Sequence, residues 1–232
     1  ANNEVGTIQP ISHLTSAARE RGIAFHTDAA QSIGKIPTRI DGLGVNLLSI
    51  AGHKFYAPKG IGALFIAAGT RLAKLIHGAS HEMGFRAGTE NVPSIVGLGK
   101  AAEIAARDLV ETRRHISVLR DMLQAGIEVE IPDSVVNGNI KSRLPNTLSI
   151  SFPGIQANKL IDEIGDEIAA SAGAACHTNT VDVSAVLQAM NLPLETAMGT
   201  IRLTTGRMTG PEDIDKALDV IAPAVKKLRG TG

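Results

Sequence analysis

The sequence predicts an α/β fold with a mostly parallel sheet, followed by a smaller α+β domain, and three observations carry that prediction. Helical and strand-like patterns alternate through the first hundred residues, as they do where crossover helices connect parallel strands. Two of the short apolar runs end in functional polar groups, Asp28 after IAFHT and Lys54 after LLSIAGH, which is where open α/β sheets gather their chemistry. After Gly97-Leu98-Gly99 the pattern changes to a long helical stretch rich in Ala, Glu and Arg, and then to an alternating strand.

In chain order, ANNEVG at residues 1–6 reads as a turn. A helical stretch over 11–21 is stopped by Gly22, and an apolar strand over 23–27 leads to Asp28. A second strand covers 45–50 and a third 61–66. The helical pattern at 100–123 reads as a connecting helix, and a strand is expected at 127–131. A Pro/Asn/Gly loop, an alternating strand at 146–152, a helix at 156–164 and an Ala/Gly-rich run at 169–176 follow. The tail from Pro211 has Glu212 and Asp213 in its first turn and Lys226-Lys227 in its last, which are helix start and stop signals. Two domains are expected, 1–105 and 106–232, the second carrying the cysteine.

Composition excludes several function classes. Lys plus Arg and Asp plus Glu are 23 each, so the net charge is zero and no basic stripe points to nucleic acid. No apolar run approaches the ~20 residues that span a bilayer, and no signal core opens the chain, so a cytoplasmic protein without membrane contact is expected. Cys176 is the single cysteine, which rules out an intramolecular disulfide. The histidines are too dispersed to suggest a metal site.

The chemistry starts from Lys54. At a strand end, desolvation and neighbouring cations favour a neutral amine, a nucleophile able to form a Schiff base with a carbonyl. Asp28, ending the preceding strand, is suited to pair with a protonated pyridine nitrogen. Cys176 lies between the small residues of ASAGAA and the polar HTNT, a context that reads as a mobile loop beside His177, which favours a reactive thiolate. Singly, each has an ordinary role: a solvated lysine, a turn aspartate, a buried cysteine.

The ordered set ANNEVG, HTDAAQSIGK, GHKFYAPKGIGALF, FRAGTEN, SAGAACHT and IRLTTGR resembles the cysteine desulfurase and selenocysteine lyase family of pyridoxal phosphate enzymes, with the aminotransferase-like fold type I. The motifs span nearly the whole chain. The resemblance implies that Lys54 holds the cofactor and moves protons, that Asp28 faces the pyridine nitrogen, and that Gln31 bonds the phenolic oxygen. It implies that His53 and Thr89 touch phosphate, Thr89 on the partner subunit's cofactor, so that a homodimer follows. Asn3 reaches the ring and the substrate carboxylate, which Arg202 grips through its two-pronged guanidinium. Cys176 takes the sulfur as a persulfide, leaving alanine, and hands it to an acceptor protein for uses such as iron–sulfur cluster assembly.

Two departures from the family pattern shape these expectations. Ala51 stands where many members carry a phosphate-binding serine, and the GAACH context is closer to selenocysteine lyases, which makes selenide release the alternative activity. The family's phosphate turn and ring-stacking histidine lie upstream of ANNE. The chain is therefore expected to be a portion of a longer polypeptide, with an inactive binding or scaffold module as the rival to an enzyme and an aminotransferase of the same fold as a third option.

Overall fold

The computed structural model describes the backbone of residues 1–177 and 180–230, and the side chains of these outside 174–182. The chain forms two compact units, Gln9–Leu109 and Val110–Gly232 joined by Ala1–Ile8.

In the first unit, helix α1 (Ile11–Arg19) is tethered to the short helix α2 (Ile40–Leu43) by buried Thr15, whose hydroxyl donates to the Leu43 carbonyl at 2.6 Å. Strands β1 (His26–Asp28) and β2 (Leu47–Ala51) are parallel, and β3 (Gly62–Ile66) runs antiparallel to β2. The first strand starts later than the apolar run that begins at Ile23. The Asn46 side chain accepts from the Phe25 amide while the Phe25 carbonyl takes the Asn46 and Leu47 amides, so regular pairing begins only at His26. Ala29, Val45 and Leu48 form the buried centre of this unit, with Ile11, Phe25, Ile33, Leu43, Ile50 and Phe65 packed around it.

The helical pattern expected over 100–123 is two helices, α3 (Val92–Arg107) and α4 (Leu109–Glu130). Helix α3 begins earlier than expected because Asn91 caps it, accepting from the Ser94 amide, with a proline in its first turn. The break falls at Asp108, whose backbone leaves the helical region at φ −100°, ψ 7°. The strand expected at 127–131 is corrected: residues 127–130 are the end of α4. Leu119, Leu123, Ile127 and Ile131 recur every four residues and are all buried, so the helical period overrides a short β-branched run.

The second unit holds an antiparallel sheet in the order β4 (Val135–Val136), β5 (Thr147–Ser151), β9 (Thr200–Thr204), β6 (Ser171–Ala172). Alternation along β5 sends Leu148 and Ile150 into one core with α4, α5 (Ala157–Ile164) and α8 (Pro211–Leu228). Thr147, Ser149 and Ser151 alternate with them and are buried as well. Polar burial there is satisfied: the Asn137 amide donates to the Ser151 hydroxyl at 2.8 Å, and Ser151 and Thr200 share a bond of 2.6 Å. A hairpin of β7 (Ala174–His177) and β8 (Thr180–Val183), followed by the short helices α6 (Ala185–Ala189) and α7 (Leu194–Met198), completes the unit.

Residues 1–8 make their contacts with the second unit. Val5 is buried with Val183, Leu187 and Ala197, the Leu144 amide donates to the Gly6 carbonyl, and Thr7 bridges Arg143. These contacts tie the leading segment to the second unit. Among the described residues no helix is long and apolar enough to cross a membrane, and no group of three or more metal-ligating side chains is present.

Candidate active site

In the first unit the site begins where β1 and β2 end side by side. Asp28 is the last residue of β1 and lies opposite Ser49 of β2. One Asp28 carboxylate oxygen accepts from the Ala30 amide at 2.8 Å, an Asx turn that halts the strand. The chain then coils: Ser32 and Ile33 amides donate to the Ala29 carbonyl, and Lys35 and Ile36 amides to the Ser32 carbonyl. Gln31 and Lys35 thus fall one helical turn apart.

Beyond β2, residues Gly52–Phe55 form a one-turn 3₁₀ helix that carries His53 and Lys54 outward while Phe55 is buried. Gly52 is required here, since a Cβ would lie 2.9 Å from the Ile61 carbonyl oxygen to which the Gly52 amide donates. The turn closes at Tyr56, in the left-handed region at φ 70°. The Lys35 amine joins the two turns, donating at 3.2 Å to the carbonyl of Gln31 and at 3.2 Å to that of Lys54. Burial, and then the charge of Lys54, push the Lys35 amine down to about 8.

Thr89 sits exposed on a turn leading into α3. The Arg86 guanidinium organises this turn by donating to the Gly88 carbonyl at 2.6 Å and the Ala87 carbonyl at 3.2 Å. Asn91, two residues on, caps the helix.

In the second unit Arg202 lies on β9, opposite Ser149 of β5 and Ser171 of β6. Its guanidinium donates to the Asn3 backbone carbonyl at 2.6 Å and to the Ser171 hydroxyl at 2.9 Å, while its buried Nε has no partner. A cavity of about 30 Å³, lined by Glu4, Ser149, Ser171, Leu187, Thr200 and Arg202, adjoins it. The turn presenting Asn3 is shaped by Asn2, whose side chain accepts from the Glu4 and Val5 amides, both at 2.9 Å. So Asn3 meets Arg202 through its backbone.

Cys176 belongs to a segment expected to be an open loop. Its backbone is instead a strand, with Cys176 opposite Val181 in the β7–β8 hairpin, where β-branched Thr180 and Val181 favour pairing. The side chains of Cys176 and His177 lie outside the described residues. The structure therefore gathers Asp28, Gln31, His53 and Lys54 on two adjoining turns of the first unit, and Asn3 with Arg202 in the second. Sequence reasoning passed over Lys35 and Ser171. The signal for Lys35 was its i,i+4 spacing from Gln31 after Gly34, and for Ser171 its place as the only hydroxyl in an alanine-rich run.

A lysine and an aspartate at the carboxyl ends of neighbouring parallel strands, in a chain with a separate α+β unit, place the chain among α/β proteins that carry their polar groups at the sheet's carboxyl edge. The pattern of the aminotransferase class-V family matches residues 1–217. Relatives include the cysteine desulfurase IscS of Dictyoglomus turgidum, 45% identical over 99% of this chain and 58% of that protein. The cysteine desulfurase NifS of Azotobacter vinelandii is 42% identical over 99% of this chain and 57% of that protein. Among solved structures, a NifS-like protein matches with a TM-score of 0.89 at 37% identity over 98% of this chain and 60% of that one. The NifS-like protein from Rickettsia africae matches at 0.88, 29% identical over 99% and 60%. The chain belongs to the aminotransferase class-V family. It spans a little under three-fifths of the length of the curated relatives it matches.

Proposed function

We propose that this chain carries catalytic residues of a pyridoxal phosphate-dependent cysteine desulfurase. The observation that carries the reading is the placement of Lys54 just past β2, beside the strand end that bears Asp28. The donor set fits the group: an exposed amine for the aldehyde, a carboxylate for the ring nitrogen, Gln31 for the phenolic oxygen, and His53 with Thr89 for phosphate. Pyridoxal phosphate, when bound, supplies the aldehyde and an electron-withdrawing ring that makes the α-carbon of an amino acid acidic.

The chain's own residues do the rest. Asp28 would pair with the protonated ring nitrogen of the bound group. Lys54 takes the proton from the substrate's α-carbon and delivers one to its β-carbon. Arg202, with Asn3, receives the substrate carboxylate, and the Asn3 carbonyl and Ser171 already orient the guanidinium. The Cys176 thiolate attacks the substrate's sulfur: the S–S bond forms as the Cβ–S bond breaks, and the β-carbon is protonated. L-cysteine and a thiol thus become L-alanine and a persulfide, with no external oxidant. The persulfide goes to an acceptor protein, of which iron–sulfur assembly is one use. The family match to the Thr89 motif supports a homodimer in which Thr89 serves the partner's site. Residue content without an apolar span or disulfide supports the cytoplasm.

The test is product analysis with cysteine and selenocysteine in parallel. Alanine formed from cysteine with persulfide on Cys176, lost in Cys176→Ala, is the expected result. Turnover retained in Cys176→Ala would establish an aminotransferase, preference for selenocysteine a lyase, and no product from either a binding module.

A further inference from the structure

Lys35 has no role in the proposed reaction, yet its half-buried ammonium donates to two backbone carbonyls. Its Nζ lies 3.2 Å from the Gln31 oxygen and 3.2 Å from the Lys54 oxygen. Those carbonyls belong to separate pieces of chain, the turn that follows Asp28 and the 3₁₀ turn that follows β2. Both leave the carboxyl ends of adjacent parallel strands, and they carry the groups that would meet different edges of one small ring. Charge-assisted hydrogen bonds are the stronger kind, so a single ammonium bound to both holds the turns in register.

The neighbouring residue supports the same contact. Gly34 adopts φ +74°, and a Cβ there would lie 3.2 Å from the Phe55 Cβ, so the first turn is packed against the second at the point where Lys35 crosses. The arrangement opposes stability: burial disfavours the charge, as the lowered proton affinity of Lys35 shows. A methionine would fill a similar volume without that cost.

We propose that Lys35 is a positioning residue for Lys54, its ammonium bracing the two turns so that the Lys54 amine and the Asp28 carboxylate keep the spacing that one bound pyridine ring requires. This rests on the reading of Lys54 as the point of attachment for pyridoxal phosphate.

The whole chain and its Lys35→Met and Lys35→Gln variants are titrated with pyridoxal phosphate at pH 7 and reduced with borohydride. The modified peptide is identified by mass, and visible circular dichroism and thermal melting are recorded alongside. In the parent, modification falls on Lys54 with an induced dichroic band. Lys35→Met needs a roughly 10-fold higher concentration for half-modification, as the loss of a charged hydrogen bond implies. Its dichroic band weakens while its melting midpoint is not lowered, and Lys35→Gln, still a donor, recovers part of the loss. Parent-like titration and dichroism in Lys35→Met overturn the proposal. So does a loss of attachment that tracks a loss of melting temperature in both variants. If Lys35→Met does not fold, Lys35→Gln decides by the same criteria. A parent chain unmodified at Lys54 overturns the functional reading itself, and this proposal with it.

Discussion

The two units differ in how much apolar surface this chain itself buries in each. The second buries nineteen described residues in one apolar cluster, including Phe152, Leu148, Ile150, Ile201 and Ile221 with essentially no exposure. The first has a cluster of three, Ala29, Val45 and Leu48, with Phe55 and Ala101 buried outside it, and leaves Leu64 of its third strand 44% exposed. What the first unit has instead are polar ties: Thr15 to the Leu43 carbonyl, the Phe25 amide to the Asn46 side chain, Lys35 to two carbonyls. Such ties fix geometry at little net gain in free energy, since each exchanges bonds to water for bonds within the protein. Within the 58% of a full-length relative that this chain spans, polar ties are prominent in the unit that bears Lys54 and Asp28, and apolar packing in the unit that bears Arg202.

The largest effect that sharpens this contrast is chemical. Lys54→Ala is expected to abolish borohydride-stable attachment of pyridoxal phosphate altogether while leaving the second unit's fold intact, as read by peptide mass mapping and far-ultraviolet dichroism. Attachment at another lysine in that variant would break the assignment.

Next comes the cost of truncation in each unit. Phe152→Ala, in the second unit, is expected to lose ~3–5 kcal/mol by denaturant unfolding, since it removes a fully buried ring. Leu64→Ala, on the partly exposed strand, is expected to lose less than ~1 kcal/mol. Equal losses would mean that the first unit is packed as tightly as the second and that its polar ties are incidental.

Much of this was legible in the sequence, and the exceptions share a cause. The strand ends at Asp28 and Lys54 were readable because polar groups directly after apolar runs mark a sheet's carboxyl edge. Helix α8 was readable from its acids at the start and lysines at the end. Residues 127–131 were misread because IEVEI alternates apolar and charged residues as a strand does; only its phase with Leu119 and Leu123 shows that it continues a helix. The packing of Val5 against Val183 and Leu187 was not readable, since it joins residues nearly two hundred positions apart in sequence. Lys35 escaped notice for a related reason: one of its partners is a backbone carbonyl nineteen residues on, and carbonyls have no letter code.

A smaller effect tests the half-buried ammonium directly. The Lys35 amine titrates at about 8 in the folded chain against an ordinary value of 10.5. Between those values the unfolded chain binds more protons than the folded one, so this group makes stability rise with pH across that window; below about 8 both states are protonated and its penalty is constant. The contribution is on the order of 3 kcal/mol. Urea midpoints of the parent and Lys35→Met, measured from pH 7 to 10.5, should converge as pH rises, the variant being the more stable at pH 7. A constant difference across the window would show that Lys35 is solvated.

The smallest effect is the counterpart on the surface of the same unit. Arg39 and Asp41 form a bidentate pair with closest approach 2.9 Å, and the Arg39 guanidinium lowers the Asp41 carboxyl below its usual range. Both side chains are mostly exposed, at 81% and 68%, so water screens the pair and the side-chain order it demands offsets what attraction remains. Asp41→Asn is therefore expected to leave the urea midpoint unchanged at neutral pH and the acid limb of the stability curve unmoved. That outcome separates two charged contacts of similar length in one unit: the exposed pair carries no weight, while the partly buried Lys35 ammonium ties two separate turns through their backbone carbonyls. A measurable loss in Asp41→Asn would place surface charge among the ties that hold the first unit, and the contrast between packing and directional contacts would have to include it.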